Sequence, residues 1–171
     1  SSPYSFSTKL IYNRFRSAVD LNLDLIGVLG ASPAGRGLEI WPDEEDKKAA
    51  VDFLEKNGLK DKKPLTAIHP GGISQRKYGW PPDYFADLGK LLVDEMDAKA
   101  IYLGGPGDED VLNKIQKLTD GRFPVCGNLN IRSVAYLISQ CHIFIGSDSA
   151  LAHLAEAVGT PGIIYYGPSP D

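Results

Sequence analysis

The sequence predicts an α/β fold, a Rossmann-like doubly wound parallel sheet, over most of its length. From residue 65 onward, short apolar runs alternate with amphipathic stretches, which is typical of strands that alternate with helices. The apolar runs are continuous rather than alternating, as expected of strands that helices cover on both faces. Glycine-containing loops follow most of the runs, which is where such sheets bind ligands.

The predicted elements follow one another in a regular order. Strands are predicted at the apolar runs Leu65–His69, Ala98–Leu103, Pro124–Cys126, His142–Ile145 and Gly162–Tyr165. Helices are predicted where apolar residues recur at helical spacing, over Asp43–Gly58, Asp83–Glu95, Glu109–Leu118, Ser133–Ser139 and Leu151–Val158. Right-handed crossovers then favour five parallel strands in the order 3-2-1-4-5.

The first 42 residues have a less regular pattern. An apolar patch covers Leu21 to Ile26, and Ala31–Gly37 is rich in small, turn-forming residues. We interpret residues 1–42 as an interdomain linker or the remnant of a preceding domain. Residues 43–171 are interpreted as the α/β domain.

Composition restricts the function classes. The 171 residues are 43 % hydrophobic, enough for one domain with a packed core. The net charge is −4, and nucleic-acid binding usually requires clustered Lys and Arg, so no nucleic-acid partner is expected. No transmembrane run and no signal-peptide pattern is found, so a cytoplasmic location is expected. Cys126 and Cys141 lack CxxC spacing and are interpreted as free, buried thiols.

The loop after the first strand combines small residues with positive charge. Adjacent glycines let the backbone approach a ligand and direct N–H groups at it, and the hydroxyl and basic side chains suit a pyrophosphate. An ordinary turn with a solvated basic pair is the alternative. The candidate residues are Gly71, Gly72, Ser74, Arg76 and Lys77.

The loop after the second strand is Gly104–Glu109, with Gly105 as a point of close approach. Asp108 or Glu109 could accept hydrogen bonds from a ribose or a base. The alternative is helix capping, since acidic residues in a first turn complement the helix dipole. The spacing does not match the dinucleotide fingerprint G-x-G-x-x-G.

The third loop joins the fourth strand to a helix. The N–H groups of residues 149–151 would lie at the helix N-terminus, which is an anion-binding position. Asp148 would orient a sugar hydroxyl or Ser149, and His153 lies one turn into the helix. The alternatives are Ser149 as a helix cap and His153 as a buried core residue. The candidates are Asp148, Ser149, Ala150, Leu151 and His153.

Two other site classes are not expected. The frame Gly146–Ala150 lacks the second glycine of the hydrolase elbow G-x-S-x-G, and His69 and His142 lie at strand ends. A serine hydrolase is therefore disfavoured. No group of His, Asp and Glu has metal-ligand spacing, so no metal site is predicted.

Together these loops resemble the C-terminal domain of glycosyltransferase family 9, the ADP-heptose:lipopolysaccharide heptosyltransferases. The resemblance covers about residues 65–170 in the family's order. The matching segments are Gly71–Lys77, Trp80-Pro81, Tyr84–Leu88, Leu103–Glu109, Gly127–Arg132, Asp148–His153, Gly159–Pro161 and Gly167-Pro168.

The resemblance implies one half of a GT-B glycosyltransferase, the half that binds a nucleotide-sugar donor, usually ADP-linked. It implies that Arg76 or Lys77 contacts phosphate and that Leu129 lines the base. The loop with Asp148, Ala150, Leu151 and His153 would hold the diphosphate and the sugar. No metal or other cofactor is implied, because backbone amides and the basic residue would neutralise the leaving diphosphate.

The family also implies an inverting transfer to a lipopolysaccharide or other glycan acceptor, bound through an N-terminal domain that supplies the general base. The chain is therefore expected to be a fragment, truncated after Gly167-Pro168, that binds the sugar donor without transferring the sugar. A non-catalytic nucleotide-binding module and a fragment of a GT-B-type nucleotide-sugar epimerase are the alternatives. The sequence departs from the family pattern in two places. Ala150 replaces the usual glycine, and the basic residue lies one position further from Trp80.

Overall fold

The structure is a computed structural model that describes residues 18–60, 63–71 and 79–166. The chain divides into two compact units, Ser1–Gly37 and Leu38–Asp171. The first unit contains helix α1 (Ala18–Gly27) and an ion pair between Asp20 and Arg36. Helix α1 is not predicted by the sequence pattern, because its leucines alternate with Asn and Asp rather than recurring at helical spacing. The linker assignment of residues 1–42 stays a prediction.

The second unit alternates helices and strands as predicted. Its helices are α2 (Glu44–Lys56), α3 (Pro82–Asp94), α4 (Glu109–Leu118), α5 (Ile131–Ser139) and α6 (Ala150–Ala157). Its strands are β1 (Leu65–His69), β2 (Lys99–Leu103), β3 (Val125–Cys126), β4 (Ile143–Ser147) and β5 (Gly162–Tyr165). Three boundaries differ by two residues from the prediction: the end of α2, the start of α5 and the end of β4. Helix α5 starts earlier because Asn130 caps it, and β4 extends to Ser147 because that residue pairs with Tyr165.

The five strands form one sheet in the order β3-β2-β1-β4-β5, with every neighbouring pair parallel. This confirms the predicted strand order. The order reverses beside β1, which pairs with β2 on one side and β4 on the other. In doubly wound sheets the loops at such a reversal diverge to opposite faces and leave a crevice at the carboxyl edge.

Two apolar cores cover the two faces of the sheet. Successive side chains of a strand point to opposite faces, so Ala67 packs with the core formed by α2, α5 and α6, whereas Ile68 packs with the core formed by α3 and α4. On β2, Ile101 packs in the first of these cores and Tyr102 in the second. The continuous apolar runs of the sequence therefore reflect burial on both faces.

The two cysteines are free and buried, as predicted. Burial raises the pKa of the Cys126 thiol to about 11 and that of the Cys141 thiol to about 12. A thiol with so high a pKa holds little thiolate at neutral pH and is a poor nucleophile or metal ligand. Within the described ranges, no helix is both long and apolar enough to cross a membrane.

Candidate functional site

The loops that follow β1, β2 and β4 meet at the carboxyl edge of the sheet. Ser147, at the end of β4, donates a hydrogen bond from its hydroxyl to the carbonyl oxygen of Gly71, 3.2 Å away. Gly71 is buried against the loop after β2, where an added Cβ would collide with the carboxylate of Asp108. Only glycine leaves room for this approach, so the first two candidate loops are in direct contact.

The loop after β2 is organised by its own acidic residues. The Asp108 carboxylate accepts a hydrogen bond from the Gly105 N–H at 2.9 Å, and Glu109 accepts one from the Gly107 N–H at 2.8 Å. Asp108 occupies the N-cap position of α4 without capping that helix through its side chain, whereas Glu109 lies in the first turn, where the alternative expects an acidic residue. The Asp108 carboxylate is largely buried, whereas Glu109 is exposed.

The N-terminus of α6 lies at the same edge. Ser149 is the N-cap in extended conformation, and its carbonyl oxygen accepts the first helical hydrogen bonds from Ala152 and His153. The N–H groups of Ala150 and Leu151 precede this ladder, as at any helix start. Ala150 is exposed there, while the Leu151 side chain packs towards the core. The candidate residues of this loop thus present backbone N–H groups at the edge.

The side chain of Ser149 does not cap the helix, contrary to the capping alternative. Its hydroxyl oxygen lies 3.1 Å from Nδ1 of His69, the last residue of β1. The other ring nitrogen of His69, Nε2, lies 3.4 Å from the Asp108 carboxylate. His69 therefore links the loops after β1, β2 and β4.

This link was not expected from the sequence, because Ser149 is 80 residues from His69. The only sequence signal that could have identified His69 as a site residue is its position, because it ends a strand at the edge where the candidate ligand loops meet. The set resembles a Ser-His-Asp triad in composition but not in geometry. In the hydrolase triad the serine contacts Nε2 and the aspartate contacts Nδ1, and here the two contacts are exchanged.

A cavity of about 300 Å³ opens between α6 and β5. Among its lining residues are Asp148, His153, Glu156 and Tyr166. The His153 side chain is 53 % exposed and lies 3.9 Å from Glu156, so the alternative of a buried core histidine is wrong. The cavity brings together two predicted sugar-donor residues, Asp148 and His153, on the side of α6 that faces β5.

Aromatic contacts fix the end of the loop after β1. The Trp80 ring stacks on Tyr165 of β5, with centroids 5.4 Å apart and planes at 16°. It also meets Phe85 of α3 edge-on at 5.4 Å. The Trp-Pro pair of the sequence therefore joins this loop to both β5 and α3.

The remaining candidates divide into one that the structure places and four that it does not describe. Leu129, in the loop between β3 and α5, is half-buried and packs against the core of α2, α5 and α6. The positions of Gly72, Ser74, Arg76 and Lys77 lie outside the described residues. Their predicted contacts with a ligand stay predictions. Within residues 18–60, 63–71 and 79–166 the structure forms no His, Cys, Asp or Glu cluster suited to a metal ion.

Comparison with known proteins identifies the family. The model of glycosyltransferase family 9 (heptosyltransferase) matches residues 14–171. Lipooligosaccharide heptosyltransferase 2 of Haemophilus influenzae is 31 % identical over 122 residues, which are 68 % of this chain and 35 % of that protein. Lipopolysaccharide heptosyltransferase 2 of Escherichia coli is 27 % identical over 136 residues, 76 % of this chain and 39 % of that protein.

Solved structures confirm the fold. A family 9 glycosyl transferase from Veillonella parvula superposes with a TM-score of 0.79 at 22 % identity, over 95 % of this chain and 47 % of that one. The E. coli ADP-heptose lps heptosyltransferase II gives 0.61 at 23 % identity, over 77 % and 40 %. The chain spans less than half the length of these relatives. Because the model of this family matches residues 14–171, the chain belongs to glycosyltransferase family 9, the heptosyltransferase family.

Proposed function

We propose that this chain is the sugar-donor-binding half, the C-terminal domain, of a GT-B glycosyltransferase that moves a sugar from a nucleoside-diphosphate sugar to a lipopolysaccharide or another cell-envelope glycan. The observation that carries the proposal is the convergence of the loops after β1, β2 and β4 at the carboxyl edge, with the α6 N-terminus among them. The names of the relatives, heptosyltransferases and one ADP-heptose heptosyltransferase, favour ADP-heptose as the sugar donor.

The anionic diphosphate would bind where positive charge and backbone N–H groups coincide. The N–H groups of Ala150 and Leu151 lie at the positive end of the α6 dipole. Arg76 or Lys77, which follow β1 in the sequence, would supply the cation. Together these groups would neutralise the leaving diphosphate without a metal ion or other cofactor.

The sugar and the base would lie on either side of the diphosphate. Asp148 and His153 line the cavity beside α6, where an exposed carboxylate and imidazole suit the hydroxyls of a sugar. Leu129, on the other flank of the sheet, would offer an apolar contact for the base. Asp108 and Glu109 already accept hydrogen bonds within their own loop.

Transfer itself would need more than this chain. The chain spans 35 % and 39 % of the two curated relatives, and the acceptor and its general base would come from the rest of the parent protein. We propose an inverting reaction for that parent, at the cytoplasmic side of the membrane. This chain alone would bind the sugar donor without transferring it.

The test is calorimetric titration of the chain with ADP, UDP and GDP. We expect saturable binding of ADP in preference to the other two. Replacing both cations, Arg76→Ala with Lys77→Ala, should weaken ADP binding by about ten- to a hundredfold, the usual effect of losing charged hydrogen bonds. Asp148→Ala should weaken ADP less than it weakens an ADP-sugar, since its partner would be the sugar.

The matched control removes an equivalent cation pair elsewhere. Lys47 and Lys48 are adjacent on α2, where they pair with Glu44 and Asp52. Lys47→Ala with Lys48→Ala should leave ADP affinity within about twofold, since surface charges distant from a site act weakly in salt. Equal loss in both double variants would mean that net charge, not a phosphate site, governs binding. No binding of any of the three nucleotides at millimolar concentration would contradict the proposal for this chain.

A further inference from the structure

His69 occupies the junction of the three loops and is almost fully buried, with 7 % of its side chain exposed. Both of its ring nitrogens have polar neighbours, Ser149 at Nδ1 and Asp108 at Nε2. A buried imidazole with both nitrogens engaged is held in one orientation. The predicted site residues around it include Ser149, but His69 itself has no role in the proposed function above.

The chemistry of these partners determines the tautomer. An ionised carboxylate accepts hydrogen bonds and cannot donate one, so the proton of the imidazole belongs on Nε2, facing Asp108. The Nδ1 atom then carries a lone pair, and the Ser149 hydroxyl must donate to it. Burial lowers the pKa of His69, against the opposing attraction of Asp108, which is consistent with a neutral ring.

This arrangement gives Ser149 a defined polarity. With its proton directed at His69, its Oγ presents only lone pairs to a ligand. It can then accept a hydrogen bond from a hydroxyl of the sugar donor, while the phosphate oxygens rely on the N–H groups of α6 and on the basic pair. Asp108 is fixed by the same ring from the opposite side.

We propose that His69 is a positioning residue of the sugar-donor site. It fixes the Ser149 hydroxyl as a hydrogen-bond acceptor towards the nucleotide sugar and ties the loop after β2 to the N-terminus of α6. The inference rests on the proposed function, because it assigns the ligand of Ser149. It adds a residue that acts through Ser149 rather than by touching the ligand.

Two conservative variants test the contact of His69 with Ser149 and its contact with Asp108 separately. The amide of asparagine overlays Nδ1 of histidine, and that of glutamine overlays Nε2. His69→Asn can therefore keep the contact with Ser149, whereas His69→Gln keeps the contact with Asp108 and loses Ser149. We expect His69→Gln to weaken ADP-heptose binding about five- to tenfold, the effect of one misplaced hydrogen bond, and His69→Asn to stay within about twofold of the unmodified chain.

A double-mutant cycle shows whether His69 acts through Ser149. Ser149→Ala should weaken ADP-heptose binding to the same extent as His69→Gln, and the double variant should be no weaker than either single variant. A merely structural role would make His69→Asn and His69→Gln equally damaging and their effects additive with Ser149→Ala. Either result would overturn the proposal.

The control is His142→Gln. The Nδ1 atom of His142 accepts a hydrogen bond from the Leu65 N–H at 3.1 Å, at the opposite edge of the sheet. This variant should lower stability without changing ADP-heptose affinity. A matching loss of affinity would indicate that any weakened histidine link disturbs binding.

Urea unfolding of the ligand-free chain keeps this inference distinct from the proposed function. The His69→Gln and Ser149→Ala cycle should be non-additive in the folding equilibrium constant by about fivefold. Additive effects would show that the two side chains are not linked. If the chain bound no ADP while the cycle remained non-additive, the link would stand and its role in sugar-donor binding would fall together with the proposed function.

Discussion

Ala150 is the first residue of α6, and its methyl group is exposed beside the N–H groups that would receive a diphosphate. The family pattern that the sequence resembles leads us to expect glycine at this position. Because the methyl group lies on the anion-facing end of the helix, it limits how closely a phosphate oxygen approaches those N–H groups. The Ala150 methyl group is therefore expected to lower the affinity of this site for a diphosphate.

We expect Ala150→Gly to increase ADP affinity by about two- to fivefold, because a closer charge–dipole contact is worth a few tenths to about 1 kcal/mol. The same change should lower the free energy of unfolding by up to about 1 kcal/mol through loss of helix propensity. Calorimetry and urea unfolding measure the two effects.

The control for this change is Ala157→Gly at the other end of α6. It should lower stability to a similar degree and leave ADP affinity unchanged. Lower ADP affinity in Ala150→Gly would show that the methyl group supports the site rather than restricting it.

At the scale of elements, Asp46 joins the starts of α2 and α5. Its carboxylate accepts hydrogen bonds from the Asn130 side chain at 2.8 Å and the Ser133 hydroxyl at 3.2 Å, and Arg132 lies 3.4 Å away. Asn130 is itself the N-cap of α5. The network therefore holds the loop that contains Leu129, the residue proposed to line the base.

The Asn130 hydrogen bond, with help from Asp43, Ser133 and Arg132, lowers the pKa of Asp46 below its ordinary value of 3.8. A lowered carboxylate pKa means that the unfolded chain binds the proton more tightly than the folded chain does. The stabilisation is therefore present above about pH 4 and is lost as the pH falls through the folded-state pKa. Asp46→Asn should lower stability at pH 7 and reduce the further loss between pH 5 and pH 3.

Urea unfolding at pH 7, 5 and 3 tests this prediction. Asp52, on the same helix, is exposed and pairs with Lys48, so Asp52→Asn should change stability little at any of these pH values. If Asp46→Asn lost as much stability between pH 5 and pH 3 as the unmodified chain does, another carboxylate would be responsible for that loss.

A second element-scale feature is the contact of α3 with β2. Gly89 faces the Tyr102 hydroxyl so closely that an added Cβ would collide with it, and that hydroxyl donates a 2.7 Å hydrogen bond to the Phe85 carbonyl oxygen. Glycine inside a helix costs about 1 kcal/mol relative to alanine. Here the close packing on the sheet outweighs that cost.

We therefore expect Gly89→Ala to lower the free energy of unfolding by about 1–3 kcal/mol through overpacking, instead of raising it. Tyr102→Phe in the same chain should recover part of the loss, because it removes the colliding oxygen. Gly27→Ala in α1, where an added Cβ meets nothing within 4 Å, is the control and should be neutral or stabilising. A stabilising Gly89→Ala would contradict the packing described.

At the scale of the whole molecule, the sheet could be predicted because its signals are local. Each apolar run and each glycine-containing loop is a short segment of the sequence, and crossover handedness then restricts the strand order. Helix α1 was not predicted, because Leu21, Leu23 and Leu25 alternate as in a strand. The ranges of the site loops were also predictable, since they follow strands.

The contacts within the site could not be predicted in the same way. His69 meets Ser149 and Asp108 across 80 and 39 residues of chain, and Asp46 meets Asn130 across 84. These contacts arise only when the sheet brings separate loops to one edge or packs α2 against α5. The sequence has no local pattern that pairs residues so far apart, so these contacts are seen only in the folded structure.

Binding of a nucleoside diphosphate at the carboxyl edge of this sheet can be mapped amide by amide, by a ¹H–¹⁵N correlation spectrum of the chain titrated with ADP. We expect saturable shifts concentrated on the amides of Gly71, Gly105, Ala150 and Leu151. Amides at the opposite edge, such as Leu65 and His142, should stay unchanged. Shifts centred on that opposite edge, or no saturable shift at millimolar ADP, would contradict binding at the carboxyl edge.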